Sequence, residues 1–227
     1  MSKDVAGPPE SDRFDDAPHP RETLALFGHA RAERELLDAY RANRLAQAWI
    51  IGGPEGIGKA TLAWRFARFL VANPESSAAA VQGAESLAVA ANHAAARRVA
   101  TMALADISLL RREWNEKAKP PKHFTEIRVD DVRTMSASFH HASGTGGWRV
   151  AIIDCADELN RSAANALLKL IEEPPARALF LLVAHQPGRM LPTIRSRCRK
   201  LMLSPLPEEE TVAAVEALGA PWSERPR

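Results

Sequence analysis

Cysteine is nearly missing from this sequence: Cys155 and Cys198 are its only two. Two thiols cannot build a four-cysteine zinc module, so no zinc is expected. With no secretory signal at the start of the chain, so few cysteines point to a reduced, cytoplasmic setting. Long apolar runs are missing too. None approaches the roughly 20 residues that cross a bilayer, so no membrane partner is expected. Charge of one sign is also lacking, because 30 Lys and Arg against 28 Asp and Glu leave a net of only +2. Overall charge therefore argues neither for nor against nucleic-acid binding, and any basic surface must be local. A hydrophobic fraction of 46% still supplies the core of one large α/β domain.

What is present begins with Gly53-Pro54-Glu55-Gly56-Ile57-Gly58-Lys59-Ala60. Its first seven positions fit G-x-x-x-x-G-K, a loop whose backbone N–H groups cradle phosphates while the lysine reaches the β and γ oxygens. Gly53, Gly56, Gly58 and Lys59, with Thr61 just after them, are the nucleotide-binding candidates, and the start of the following helix adds positive potential. Glycines and a lysine can also mark an ordinary turn before a helix. Here the order is strand, loop, helix: Trp49-Ile50-Ile51 reads as a buried parallel strand, and Leu62, Phe66, Phe69 and Leu70 recur at helical spacing. Ala60 stands where a Mg²⁺-binding hydroxyl belongs. Thr61, one residue on and about 100° around the helix, is the nearest hydroxyl and does not reach the same point without distortion.

Prolines 8, 9, 18 and 20 among acidic and small residues make 1–20 read as a disordered leader. Ala32, Leu36, Leu37 and Tyr40 form one stripe of a helix over about 30–43. The Ala-rich stretch 73–112 reads as helix without a defined partner face. Glu126 to Val129 suggests a short or edge strand, and Asp130 a cap for a helix carrying Val132, Met135 and Phe139. His140 and His141 close that helix as surface or packing groups rather than metal ligands, and Gly144 to Gly147 make a turn. Trp148 to Ile153 form a strand ending at Asp154; Asn160 or Ser162 caps a helix bearing Ala164, Leu167, Leu168 and Ile171, which Pro174-Pro175 end. Leu179 to Val183 make a third core strand. Strands alternating with helices predict a parallel sheet flanked by helices, over 21–205.

In hydrolases built on this loop, a strand ends in an Asp that serves Mg²⁺ and often in a Glu that orients water. This strand ends Asp154-Cys155, so Asp154 joins the candidate site, and a thiol replaces the water-directing acid. Asp157 and Glu158 read as acids at a helix start. Further along, Arg195, Arg197, Arg199 and Lys200 form a basic cluster after the third core strand, readable as a solvated helix end or as a group aimed at a neighbouring subunit.

Ser196-Arg197-Cys198, the helix Ala163 to Glu173 with Pro174-Pro175, the loop at Lys59 and the segment Leu26-Phe27-Gly28-His29 together resemble bacterial clamp-loader subunits of the AAA+ P-loop ATPases. The resemblance runs from about 24 to 206. It implies an AAA+ domain followed, over 206–227, by the start of a helical lid domain, with the rest of the lid and the C-terminal collar absent from this sequence. It also implies a subunit of the heteropentamer, with motor and delta subunits, that loads the sliding clamp onto primed DNA for the polymerase holoenzyme. Arg197 then takes the role of arginine finger, reaching ATP held by the next subunit. Ala60 and Cys155 fit a stator without an ATPase of its own, binding ATP or ADP weakly and with little call for Mg²⁺. Ala184-His185, where motor subunits place Thr, agrees with that reading. The competing readings are an ATP-hydrolysing, motor-type subunit and a small-molecule kinase, the latter disfavoured by Ser196-Arg197-Cys198.

Overall fold

The computed structural model describes residues 8–14, 17–141 and 147–219. Its centre is a five-stranded parallel sheet in the order β2-β5-β6-β1-β7. The strands are β1 (Ala48–Gly52), β2 (Ile107–Leu110), β5 (Arg149–Ile153), β6 (Ala178–Ala184) and β7 (Arg199–Met202). Between β2 and β5 the chain makes a small antiparallel pair, β3 (Trp114–Asn115) with β4 (Lys122–His123). β6 is buried along its whole length because it is central and covered on both faces, the condition that makes a strand read as an unbroken apolar run.

Alternation divides the core in two. Trp49, Ile51, Val150, Ile152, Leu179 and Leu181 point to a layer holding α1 (Ala30–Arg41), α2 (Lys59–Ala72) and α4 (Ala94–Ala100). Ile50, Ala151, Ile153, Phe180 and Leu182 point to α5 (Val129–His141) and α6 (Arg161–Glu172). A short helix α3 (Ala79–Gln82) precedes α4, α7 (Pro192–Arg197) joins β6 to β7, and α8 (Glu208–Ala217) follows the sheet. Two sequence expectations hold at their caps: Asn160 accepts from Ala163 N at 2.8 Å, and α6 ends just before Pro174.

Four expectations are corrected. The Ala-rich stretch contains a strand as well as helix, since β2 pairs with β5 from Ile107↔Val150 to Leu110↔Ile153. The basic residues after Cys198 form β7, an edge strand whose exposed side tolerates Arg199 and Lys200. Residues 126–129 contribute only one bridge, Ile127 to Leu159, because α5 already begins at Val129. The cap of α5 is not Asp130: Asp131 reaches back to Arg128 N at 2.8 Å, the acidic half of a capping box. The His140 and His141 side chains and most of the turn at 144–147 lie outside the described residues.

The stretch read as a disordered leader also packs against the domain where it is described. His19 is fully buried, edge-on to Trp64, with Nε2 2.9 Å from Asp12 and Nδ1 accepting from Arg21 N. Glu10 and Asp12 both bind Arg111, just beyond β2, and Glu10 also binds Arg21 at 2.8 Å. Low hydrophobicity predicts disorder only when nothing compensates the buried acids; here Arg21, 11 residues from Glu10, and Arg111, about a hundred residues away, do so.

Candidate functional site

The loop after β1 turns on glycines whose geometry no other residue would tolerate. Gly53 has φ 145°, and a Cβ there would sit 2.5 Å from the Leu203 carbonyl oxygen. Gly58, at φ 93°, turns the chain into α2 and stands at its N-cap. Lys59 is therefore the first helical residue. It is 3% exposed, and its ammonium donates to the Pro54 carbonyl, closing the loop upon itself. Burial lowers its pKa, against the raising effect of Asp154. Ala60 packs against the core and offers no ligand; Thr61 follows it, half-buried, in α2.

Asp154 enters from the adjacent part of the sheet, its N–H held by Leu110 O at 2.8 Å. Burial and the charge of Asp12 push its pKa up to about 7, opposed by the Cys155 N–H and by Lys59. Cys155 next to it adopts a left-handed conformation, φ 54°, uncommon for a residue with a side chain. Its Sγ lies 3.3 Å from His185 Nε2, just past the end of β6. Burial and the neighbouring carboxylates raise the thiol well above its ordinary value, so no thiolate is available.

Neither following acid takes the vacant chemical role. Asp157 accepts from His185 N at 3.1 Å and Gln186 N at 2.9 Å, tying the end of β6 to the turn after β5. Glu158 pairs with Arg112 at 2.8 Å. Thus the loop, Lys59, Asp154, Cys155 and His185 converge, while the position that would activate water holds a protonated thiol against an imidazole. Among the described residues no cluster of three or more His, Cys, Asp or Glu side chains could hold a metal ion. The residues fit a polyphosphate, through the loop N–H groups and Lys59, but supply a divalent cation with one carboxylate and no hydroxyl.

Arg197 is elsewhere. It closes α7, which packs on α6 and β7, and its guanidinium binds Glu172 at 2.6 Å and the Thr193 carbonyl at 3.2 Å. Its side chain remains 43% exposed.

Residues 28–207 match the family described as DNA polymerase III, delta subunit. The chain is also 37% identical, over 155 residues, to the DNA polymerase III subunit delta' of Pseudomonas aeruginosa, an alignment spanning 67% of this chain and 42% of that protein. It belongs to the delta-prime family of DNA polymerase III subunits. The delta' subunit of Escherichia coli K12 is 42% identical over 93 residues, 41% of this chain and 28% of its own length. The aligned stretch thus spans less than half the length of either relative. A crystal structure of a gamma subunit-related DNA polymerase III protein from Thermotoga maritima superposes with a TM-score of 0.50 at 18% identity, covering 87% of this chain and 52% of that one. That likeness speaks for the AAA+ fold alone.

In this delta-prime family member the sheet brings Gly53, Gly56, Gly58, Lys59 and Asp154 together and keeps Arg197 apart on another face. The hydrogen bond between Cys155 and His185, the anchoring role of Asp157 and the effect of Asp12 on Asp154 escaped the sequence. Their partners are 30, 28 and 142 positions away, respectively, and no spacing rule links them. The one signal available was Cys155 itself, at a strand end where an acid belongs.

Proposed function

We propose that this chain is the clamp-loader domain of a stator subunit. In this reading it assembles with motor and delta subunits, helps the heteropentamer place a sliding clamp on primed DNA in the cytoplasm, and donates Arg197 to ATP bound by a neighbour. The single observation that carries the reading is the Cys155–His185 contact, which fills the water-activating position with groups that cannot serve as a carboxylate base. Ala60 agrees with it. The loop and Lys59 would hold the phosphates of ATP or ADP weakly and without need of Mg²⁺. The partly exposed Arg197 needs only to exchange Glu172 for a phosphate, a trade of one charge-assisted hydrogen bond for another.

The test is Arg197→Ala in a loader reconstituted with its cognate motor and delta subunits. Hydrolysis at the one motor site that Arg197 serves should fall by a factor on the order of 10³, as expected for a finger acting in trans, so the loader's DNA-stimulated ATPase should lose that site's share. Unchanged hydrolysis would end the proposal. The motor-type alternative draws on the closeness of Lys59 and Asp154, which supply half of a hydrolytic site. Mg²⁺-dependent turnover by the purified chain, abolished by Lys59→Ala, would favour it.

A further inference from the structure

The groove between α1 and β7, about 810 Å³ in volume, is lined by Arg31, Arg34, Arg44 and Arg199 together with Glu35 and Asp38. Both acids are engaged. Glu35 binds Arg199 at 2.8 Å, and Asp38 faces Arg41 at 3.6 Å. Arg31, Arg34 and Arg44 are exposed, and none has a carboxylate partner among the described residues. The groove therefore carries a local excess of positive charge on a chain whose net charge is only +2.

The fold holds these arginines in place. Arg31 and Arg34 are one turn apart on α1. At the other end Asn43, at φ 51°, ends the helix in a Schellman motif: Asn43 N donates to Tyr40 O and Arg44 N to Ala39 O, which returns Arg44 to the groove. Arg199 is fixed by Glu35 and by the Trp49 ring, 4.8 Å from its guanidinium carbon, and Lys200 lies exposed beside it on the edge strand. Arg31 also stands in the first turn of α1, where the helix dipole favours an anion rather than a cation. A bound polyanion relieves that conflict.

We infer that this groove binds the phosphodiester backbone of a nucleic acid, through Arg31, Arg34 and Arg44. A 12-residue helix is about 18 Å long, enough to face roughly five phosphates of one strand at 3.4 Å rise each. Arginine forks match phosphate oxygens, and contacts of this kind position a duplex without reading its sequence. An acidic protein segment is the other source of anions. It is disfavoured because the only apolar residues lining the groove are Ala30 and Ala39, with no aromatic or large aliphatic side chain to seat a protein partner. The site is independent of the nucleotide loop and of Arg197, so it stands whether or not the stator reading does.

The test is fluorescence anisotropy of a short fluorescein-labelled DNA duplex titrated with the whole chain at rising potassium chloride. Each phosphate contact adds about 0.9 to the slope of log affinity against log salt. The combined Arg31→Ala, Arg34→Ala, Arg44→Ala variant should therefore lose about 2 to 3 from that slope, and at least about tenfold in affinity at low salt. Arg133→Ala, an exposed arginine on α5, should change neither. Among the described residues the three groove arginines make no ion pair, so their loss should leave the fold intact, and an unchanged thermal melt by circular dichroism shows that the variant is folded. The inference is overturned if the wild-type chain shows no salt-dependent binding, if the triple variant binds like wild type, or if an acidic polyglutamate peptide binds more tightly than the duplex.

Discussion

Cys155 Sγ and His185 Nε2 lie 3.3 Å apart, joining the second residue after the end of β5 to the first residue after the end of β6. The pair is held from behind by Asp157, which fixes the backbone of His185 and Gln186. A thiol kept protonated by burial can donate to an imidazole but cannot take a proton from water at neutral pH.

His185 should remain neutral at pH 7. Burial and the nearby Lys59 hold its pKa below the ordinary 6.5, and among the described residues its buried Nδ1 has no hydrogen-bond partner. Nitrogen chemical shifts from heteronuclear NMR should report an imidazole that titrates below the range of an exposed histidine. Addition of a nucleotide should raise that titration, because phosphate offsets the charge of Lys59. A titration unmoved by saturating nucleotide would show that His185 does not face the phosphates.

Ala60→Thr should restore metal dependence to nucleotide binding. The wild-type chain should bind an ATP analogue weakly, with the same affinity in Mg²⁺ and in EDTA. The threonine variant should gain about tenfold in Mg²⁺ alone, about 1.4 kcal/mol, as the hydroxyl joins Asp154 around the ion. Calorimetric titration of both proteins with and without Mg²⁺ decides this, and tight, Mg²⁺-dependent binding by the wild type would refute it.

Asp154→Asn should stabilise the protein at alkaline pH. Its folded pKa of about 7 exceeds its ordinary 3.8, so the folded state prefers the protonated acid and loses stability as pH rises between those values. The asparagine variant, which cannot ionise, should be more stable than wild type at pH 8, by an unfolding free energy on the order of 2–4 kcal/mol. That advantage should disappear near pH 4. Denaturant unfolding across this range measures it, and a gain independent of pH would point to packing instead.

Asp12→Asn should have the opposite pH signature. Burial opposes ionisation of Asp12, but His19 and Arg111 outweigh it and leave its pKa below the ordinary 3.8. The stabilisation is thus present above pH 4 and fades as pH falls through the lower, folded value. The variant should be weaker than wild type by about 1–3 kcal/mol at pH 7, and the two should converge in acid. Limited proteolysis should then cut near residues 8–20 of the variant first, since His19 and Arg111 lose their shared partner. Equal stability and equal protease resistance would return this stretch to the disordered leader that its composition suggests.

The sequence by itself determined the features carried by short-range pattern. The strand, loop and helix around Lys59, the Asn160-capped α6 and the apolar runs of β5 and β6 were readable because periodicity and turn chemistry act over a few residues. So were the alterations at Ala60 and Cys155, since a motif fixes what ought to stand at each place. Tertiary structure alone decided the rest. β2 and β7 are strands because sheet neighbours pair with them, against an alanine-rich context in one case and a basic one in the other. Asp12 and His19 are buried because Arg111 and Trp64 wait for them, and Asp154 is a weak acid because burial and a carboxylate from the far end of the chain surround it. These effects depend on distances in space between residues remote in sequence, and desolvation and Coulomb energy follow those distances rather than spacing along the chain.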